Sequence, residues 1–241
     1  MNFTFLGTGG AFDTDYGNSA ALVSFKESTI LLDCGFTVYP TLRQHQLTRT
    51  LDYIMITHLH NDHTGSLANV LLHCHYYNKG CRPTILYPDD DFRSELYEFL
   101  RLQLQKPEKF AEFLPISEMP GITAVDTFGQ HAENYQTYAY IFEDSTNRIV
   151  YSGDLGQPEA LFSHIRSLPP RPTCIYHDIT FNEQNTAHTY YKKLIPLVGD
   201  YKLYGYHCDP TKNPQDNPFP LVYHQSSLML APYQPQYSNP V

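Results

Sequence analysis

The chain has 241 residues, enough to bury one full hydrophobic core, so we expect one main domain. Its formal net charge of −9 argues against a large nucleic-acid footprint, because such binding depends on Lys and Arg side chains. The five cysteines are scattered and odd in number, which favours free thiols in a reducing compartment. The sequence shows no signal-peptide pattern and no apolar run of membrane-spanning length, so we expect a cytoplasmic protein.

Short apolar runs bounded by turn residues alternate with amphipathic stretches along the chain. The predicted strands are 3–5, 20–25, 30–32, 53–56, 84–87, 122–128, 138–142, 148–151, 174–176 and 202–206. The predicted helices are 38–45, 66–75, 92–105, 159–167 and 186–197. Strands that pair with neighbours and then receive helices predict a layered α/β architecture.

Residues 209–241 differ from the rest of the chain by their density of proline, which excludes a regular helix or a central strand. The segment nevertheless carries apolar side chains such as Phe219, Leu221, Val222 and Tyr233. We therefore predict a body formed by residues 1–208 and a Pro-rich extension that packs on this body or on a partner subunit.

The segment that follows the apolar strand 53–56 concentrates the residue types that bind metals. His58 and His60 are two positions apart on extended backbone, so both side chains can point the same way. Asp62 and His63 lie at the turn into the next helix and can face a second point nearby. Imidazole and carboxylate together suit zinc, manganese or iron, so the segment predicts a metal site.

The H-x-H-x-D-H spacing of this segment resembles the signature of the metallo-β-lactamase fold superfamily. Residues 5–11 and 30–35 are similar to the opening strands of the RNase Z-like phosphodiesterase branch of that superfamily. His131, Asp154 and His207 follow in the order that the branch shows. The resemblance implies a four-layer αββα sandwich, with the body as the catalytic domain.

The resemblance also implies two divalent metal ions, with zinc preferred and manganese or iron as alternatives. Two metals about 3.5–4 Å apart can hold a hydroxide between them and grip a phosphate oxygen. His177 also ends a strand-like run and rivals His207 as the last ligand, although the order along the chain favours His207. The implied ligands are His58, His60 and His131 for one metal, Asp62, His63 and His207 for the other, and Asp154 as the bridge. Asp62 is also assigned a catalytic role.

A proton donor for the leaving oxygen is predicted from two further segments. Residues 177–181 resemble the Glu-Ala-Thr-Phe-type motif of the branch, with Asp178 at the position of the glutamate, and residues 186–189 resemble its Ala-His-Ser-Thr motif. We predict that His188 is the general acid and that Asp178 orients it. Asp33 is expected to accept the second N–H of a ligand histidine.

The substrate is predicted from the spacing between His131 and Asp154, which are 23 positions apart. RNase Z inserts a tRNA-holding arm at this place, and here two strand-like runs fill the gap, so a small phosphodiester is favoured over tRNA. The chain is similar in size and layout to the anti-Pycsar proteins of phages and bacteria, which destroy pyrimidine cyclic nucleotides as homodimers. Tyr135, Tyr138 and Tyr206 are candidates for base stacking.

The sequence-based hypothesis is therefore a binuclear phosphodiesterase that converts cCMP, cUMP, cAMP or cGMP to linear monophosphates by attack of a metal-bridging hydroxide. It would be a homodimer in the cytoplasm of a bacterium, or of a host cell if a phage encodes it. Three alternatives remain: an RNase Z-type RNA 3′-processing endonuclease, a lactone or thioester hydrolase on the same metals, and an inactive module that only binds a ligand or partner.

Overall fold

The computed structural model describes residues 1–232, so the packing predicted for Tyr233 falls outside the described residues. Within them, a six-stranded sheet has the order β1-β2-β3-β4-β5-β6, and a five-stranded sheet has the order β11-β10-β9-β8-β7. The first sheet contains β1 (Asn2–Gly7), β2 (Ala20–Phe25), β3 (Ser28–Leu32), β4 (Tyr53–Met55), β5 (Thr84–Tyr87) and β6 (Glu112–Pro115). The second contains β7 (Ile122–Asp126), β8 (Tyr138–Glu143), β9 (Arg148–Tyr151), β10 (Thr173–Asp178) and β11 (Lys202–Tyr206).

Both sheets combine an antiparallel part with a parallel part. Strands β1, β2 and β3 are antiparallel neighbours, and β3 to β6 run parallel. Strands β7, β8 and β9 are likewise antiparallel, and β9, β10 and β11 run parallel. The carboxyl ends of parallel strands meet at one edge of a sheet, which is the usual place for a ligand site in such folds.

Apart from the four-residue helix Asn61–Thr64, the α-helices of the described part flank the two sheets. The helices of this part are α1 (Val38–Gln44), α2 (Asn61–Thr64), α3 (Leu67–Tyr77), α4 (Asp90–Leu104), α5 (Glu159–Ser167) and α6 (Tyr191–Val198). Helix α4 begins where the Asp89 carboxylate accepts a hydrogen bond from the Phe92 amide at 2.9 Å. Within residues 1–232, every helix is too short or too polar to cross a bilayer.

Strand β8 shows why the second sheet is buried on both faces. Tyr140 and Phe142 belong to the core between the sheets, where the Phe142 ring meets the Phe3 ring at a centroid distance of 5.4 Å. Ala139 and Ile141 point the other way, into a second core that α5 and α6 close. Because successive side chains of a strand point to opposite faces, β8 contributes side chains to both cores. The layers are helix, sheet, sheet and helix, which confirms the predicted α/β sandwich.

The structure differs from the sequence-based elements at three places, the first of which is the four-residue helix α2, since its residues were expected as a turn before the next helix. Strand β6 was not predicted, because Glu112–Pro115 is short, ends in proline and becomes a strand only by pairing with β5. The helix predicted over 186–197 begins at Tyr191, since the Thr180 amide donates to the Thr189 carbonyl and holds the preceding residues in a loop.

The described part of the extension lies across one edge of each sheet. The Gly205 amide of β11 donates to the Pro220 carbonyl at 2.9 Å, and Leu221 beside it is buried. Further on, the Phe5 amide of β1 donates to the Leu228 carbonyl at 2.7 Å. Residues 209–232 therefore contact both sheets, and the division of the chain at residue 208 stays a prediction.

Candidate metal centre

The carboxyl ends of the strands bring the seven predicted ligands together. Residues 58–63 follow β4, residue 131 lies in the loop after β7, and residues 154 and 207 follow β9 and β11. Ligand atoms lie within 4.8 Å of one another in each of two clusters: His58, His60 and His131, and Asp62, His63, Asp154 and His207. His177 is in neither cluster, so the geometry favours its rival, His207.

The Asp154 carboxylate stands between the two clusters. Its Oδ2 lies 3.8 Å from His58 Nε2 and 3.9 Å from His131 Nε2. Its Oδ1 lies 3.3 Å from His63 Nε2 and 3.4 Å from His207 Nε2. Each oxygen therefore faces a different cluster, as a carboxylate that bridges two cations requires.

The donor set fits divalent cations because some of its atoms are otherwise unsatisfied. His63 Nε2 and Asp154 Oδ1 are buried, and neither has a hydrogen-bond partner within residues 1–232. An unsatisfied buried polar atom costs about 1–3 kcal/mol, which a bound cation would remove. Imidazole nitrogens mixed with carboxylate oxygens fit zinc, manganese and iron.

Asp33 anchors the histidines from behind. It is fully buried at the end of β3, and its carboxylate accepts the Thr57 amide at 2.8 Å and faces His63 Nδ1 at 2.9 Å. The Nδ1–H donates to this carboxylate, which leaves Nε2 free to face the second cluster. Asp33 thus makes the contact that the sequence analysis assigned to it.

Another ligand histidine is held by backbone. His131 Nδ1 donates to the Ala187 carbonyl at 2.7 Å. The Asn185 side chain accepts from the Ala187 amide at 2.9 Å and from the His188 amide at 3.3 Å. The 182–189 loop therefore fixes both the first cluster and His188. Sequence reasoning missed Ala187 and Asn185, because a carbonyl contact leaves no signature in residue type.

Burial and neighbouring charges shift the pKa values in opposite directions. Burial, followed by the charge of His63, holds the pKa of His58 well below its usual value. Burial also opposes protonation of His63, but the carboxylates of Asp154 and Asp33 outweigh it and raise the pKa of His63. For Asp62, burial is outweighed by the hydrogen bond from His207 and by the nearby imidazole of His63, so its pKa is lowered.

His188 and Asp178 form a pair beside the second cluster. His188 Nδ1 donates to Asp178 Oδ2 at 2.8 Å, and the Asp178 carboxylate is fully buried. The His188 ring centroid is 4.8 Å from that of His207. Burial opposes protonation of His188, but the bond to Asp178 and the charge of Asp154 raise its pKa to about 9. The raised pKa favours the protonated ring, in which Asp178 engages Nδ1 and Nε2 is the other ring nitrogen.

The clusters open into a cavity of about 710 Å³. Among the described residues that line it, Lys212 is the one lysine or arginine, and it pairs with Asp209 at 3.2 Å. Two aromatic side chains that the sequence analysis did not single out, Phe12 and Phe181, also line the cavity. The one sequence signal for Phe12 is its position two residues after Gly10, the last of three glycines in residues 7–10.

The three tyrosines proposed for base stacking do not line this cavity. Tyr138 and Tyr206 are 4 % and 1 % exposed, so the prediction that they stack on a base is wrong. Their apolar rings are taken up by the core between the sheets. Tyr135 stacks on the ligand histidine His60, with ring centroids 4.5 Å apart.

Comparison with known proteins agrees with this geometry. The model of a protein family described as "Anti-Pycsar protein Apyc1" matches residues 1–220 of the chain. The Apyc1 anti-Pycsar protein of Paenibacillus harenae is 28% identical over 211 residues, which cover 82% of this chain and 84% of the relative. That of Bacillus phage vB_BsuM-Goe3 is 28% identical over 199 residues, covering 73% and 74%. The metallo-β-lactamase fold protein YhfI of Bacillus subtilis superposes with a TM-score of 0.66 at 17% identity, covering 86% of this chain and 85% of YhfI. The chain folds as a two-sheet sandwich like that of YhfI, and the family model matches most of its length. The chain therefore belongs to the anti-Pycsar Apyc1 family.

Proposed function

We propose that the chain is a metal-dependent phosphodiesterase that opens small cyclic nucleotides, such as cCMP, cUMP, cAMP or cGMP, to linear monophosphates. The observation that carries the proposal is the pair of ligand clusters that Asp154 connects and that open, beside His188, into a single cavity. Membership of the anti-Pycsar Apyc1 family supports the substrate class, since the resemblance described above implies pyrimidine cyclic nucleotides.

The ligand residues would hold one ion at His58, His60 and His131 and another at Asp62, His63 and His207, with Asp154 between them. Bound there, two divalent ions would activate a water and offset the negative charge that builds up at phosphorus. Asp33 and the Ala187 carbonyl keep the ligand nitrogens in place, because each takes the other N–H of a ligand histidine.

The protonated His188 supplies the proton that the leaving oxygen needs. Its Nδ1 is engaged by Asp178, so Nε2 is the atom that can donate toward the cavity. As the hydroxide formed from water adds to phosphorus, the ester P–O bond breaks and the freed alkoxide takes the Nε2 proton, which leaves an alcohol and a phosphate monoester. The proton that the water gave up on forming hydroxide passes to solvent, from which the neutral His188 is protonated again. Asp178 stabilises the cationic ring before this transfer and keeps it oriented.

The cavity supports a small substrate over RNA. A volume of about 710 Å³ lies in the usual range for small-molecule sites. Binding of an RNA chain depends on several lysines and arginines, whereas the described lining carries only Lys212. The resemblance of residues 177–181 and 186–189 to motifs of the RNase Z-like phosphodiesterase branch supports phosphorus esters over lactones.

The test is hydrolysis of cCMP, cUMP, cAMP and cGMP by purified protein loaded with zinc or manganese, with and without a chelator. A lactone and a tRNA precursor serve as substrates for the alternative functions. Turnover of at least one cyclic nucleotide that the chelator abolishes and added metal restores is the expected result. Turnover of the lactone or the precursor alone would replace the proposal by the corresponding alternative.

The homodimer that the resemblance implies and the cytoplasmic location expected from the sequence belong to the same proposal. Light scattering of the purified protein should give twice the mass of the chain. A mass equal to one chain, in a preparation that turns over cyclic nucleotides, would remove the dimer from the proposal and leave the activity in place.

A further inference from the structure

Phe12 projects almost wholly into solvent at the rim of the cavity. At 97 % exposure it is the most exposed large apolar side chain among residues 1–232. Its ring contributes no buried area to either core, yet it lines the same cavity as the ligand residues His60, His131 and His207. The ring is therefore available to whatever enters the cavity.

The backbone holds Phe12 in place although its ring is free. The Asp13 amide donates to the Gly10 carbonyl at 3.2 Å and closes a tight turn with Phe12 inside it. The base of this turn is tied down, because the Gly9 amide donates to the Gly17 carbonyl at 2.7 Å. A Cβ on Gly10 would lie 3.3 Å from His207 Cε1, so the turn rests directly against a ligand histidine.

Phe181 supplies a second aromatic side chain to the cavity lining, from a different part of the fold. It follows β10, is partly buried against the core around α5 and α6, and its ring centroid lies 6.1 Å from that of Tyr191. The cavity thus combines a fixed aromatic side chain on the β10 side with an exposed one on the β1 side. Aromatic side chains of this kind stack on bases with little regard to base identity, since every base has a π-face.

We propose that Phe12 is a specificity-determining residue that stacks on the base of the substrate and, with Phe181, selects phosphodiesters that carry a planar base. The inference rests on the proposed function, since the phosphate would lie on the ligand clusters while the base extends toward the rim. Because a nucleobase is uncharged near neutral pH, it would be held by stacking more than by ion pairing.

The first test compares cCMP with methyl riboside 3′,5′-cyclic phosphate, which keeps the diester and lacks the base. In Phe12→Ala the kcat/KM for cCMP, divided by that for the base-free diester, should fall about 10-fold because the KM for cCMP rises. Phe12→Tyr keeps an aromatic ring and should restore the ratio. The matched control is Phe128→Ala, which removes a ring that is 52 % exposed and lies outside the cavity lining. An unchanged ratio in Phe12→Ala would overturn the inference, whether or not the oligomeric mass of the variant changes. Absence of cyclic-nucleotide turnover in the unmodified protein would count against the proposed function instead.

The second test does not depend on turnover. The chain contains no tryptophan, so Phe12→Trp introduces a single fluorescent reporter at the rim. Titration with CMP should quench its emission saturably, whereas ribose 5-phosphate should not, and Phe128→Trp should respond to neither. Equal responses of Phe12→Trp to both ligands, or no response to CMP, would overturn the stacking role.

Discussion

Replacing Asp33 with asparagine should weaken metal binding by changing which nitrogen of His63 carries the proton. Asp33 lies at a positive φ of 59°, which asparagine tolerates, so the backbone need not move. In the variant, the amide oxygen can still accept the Thr57 amide, and the NH2 group then faces His63 Nδ1. Two donors cannot share this contact, so the proton of the neutral ring moves to Nε2, the atom that faces Asp62 and Asp154.

The size of the effect follows from the role of the contact. Removing the partner that orients a ligand histidine typically costs 10–100-fold in metal affinity, or about 1.4–2.7 kcal/mol. The loss of affinity should be confined to the ion held by the cluster that contains His63. In the variant the two ions should therefore bind with clearly different affinities. Because the introduced asparagine remains hydrogen-bonded, thermal unfolding in the presence of a chelator should change far less than metal affinity does.

Competition with a chromophoric chelator measures both affinities and the number of ions per chain. The matched control is Asp52→Asn, in which an exposed carboxylate that accepts the Thr29 amide at 2.8 Å is changed away from the clusters. This control should bind metal as the unmodified protein does. If Asp33→Asn also bound two ions with unchanged affinities, the argument that Asp33 fixes the His63 tautomer would be refuted.

Three further predictions concern the ligands, the proton donor and the extension. His60→Ala and Asp154→Ala should abolish turnover with an unchanged circular dichroism spectrum, and near-full activity in either would contradict the ligand assignment. In Asp178→Asn the raised pKa of His188, about 9, should fall toward its usual value because the carboxylate that stabilises the cation is gone. Since the proton donor exists only below this pKa, the alkaline limb of the kcat–pH profile should move to lower pH, and an unmoved limb would exclude His188 as the acid. Leu221→Ala should cost about 2–5 kcal/mol of unfolding free energy, because this side chain is 2 % exposed, and an unchanged denaturant midpoint would contradict the packing of the extension.

The sequence was most informative where the chemistry is local. Residues 58–63 carry four residues of ligand-forming type in one segment, and the apolar strand before them already places the first two on one side. Apolar runs likewise predicted ten of the eleven strands of the described part, because each run is long enough to show its own pattern. The assembly of residues 131, 154 and 207 at the same place was reached through a family resemblance, since nothing local connects them.

What the sequence could not show depends on contacts between distant segments. The Ala187 carbonyl orients His131 across 56 positions, and a carbonyl is present at every residue. Strand β6 exists because β5 offers it a parallel edge. Tyr138 and Phe12 make the same point from opposite sides, because tertiary packing buries the first aromatic side chain and leaves the second exposed beside the cavity.

The most direct test of the account is hydrolysis of cCMP in oxygen-18 water by the zinc- or manganese-loaded protein, followed by mass spectrometry of the product. The account predicts a linear monophosphate with one oxygen-18 on its phosphate, formed by the unmodified protein and absent with a chelator or in Asp154→Ala. A product that forms equally in the presence of chelator, or no product from any of the four cyclic nucleotides in a protein that binds two metals, would contradict the central claim.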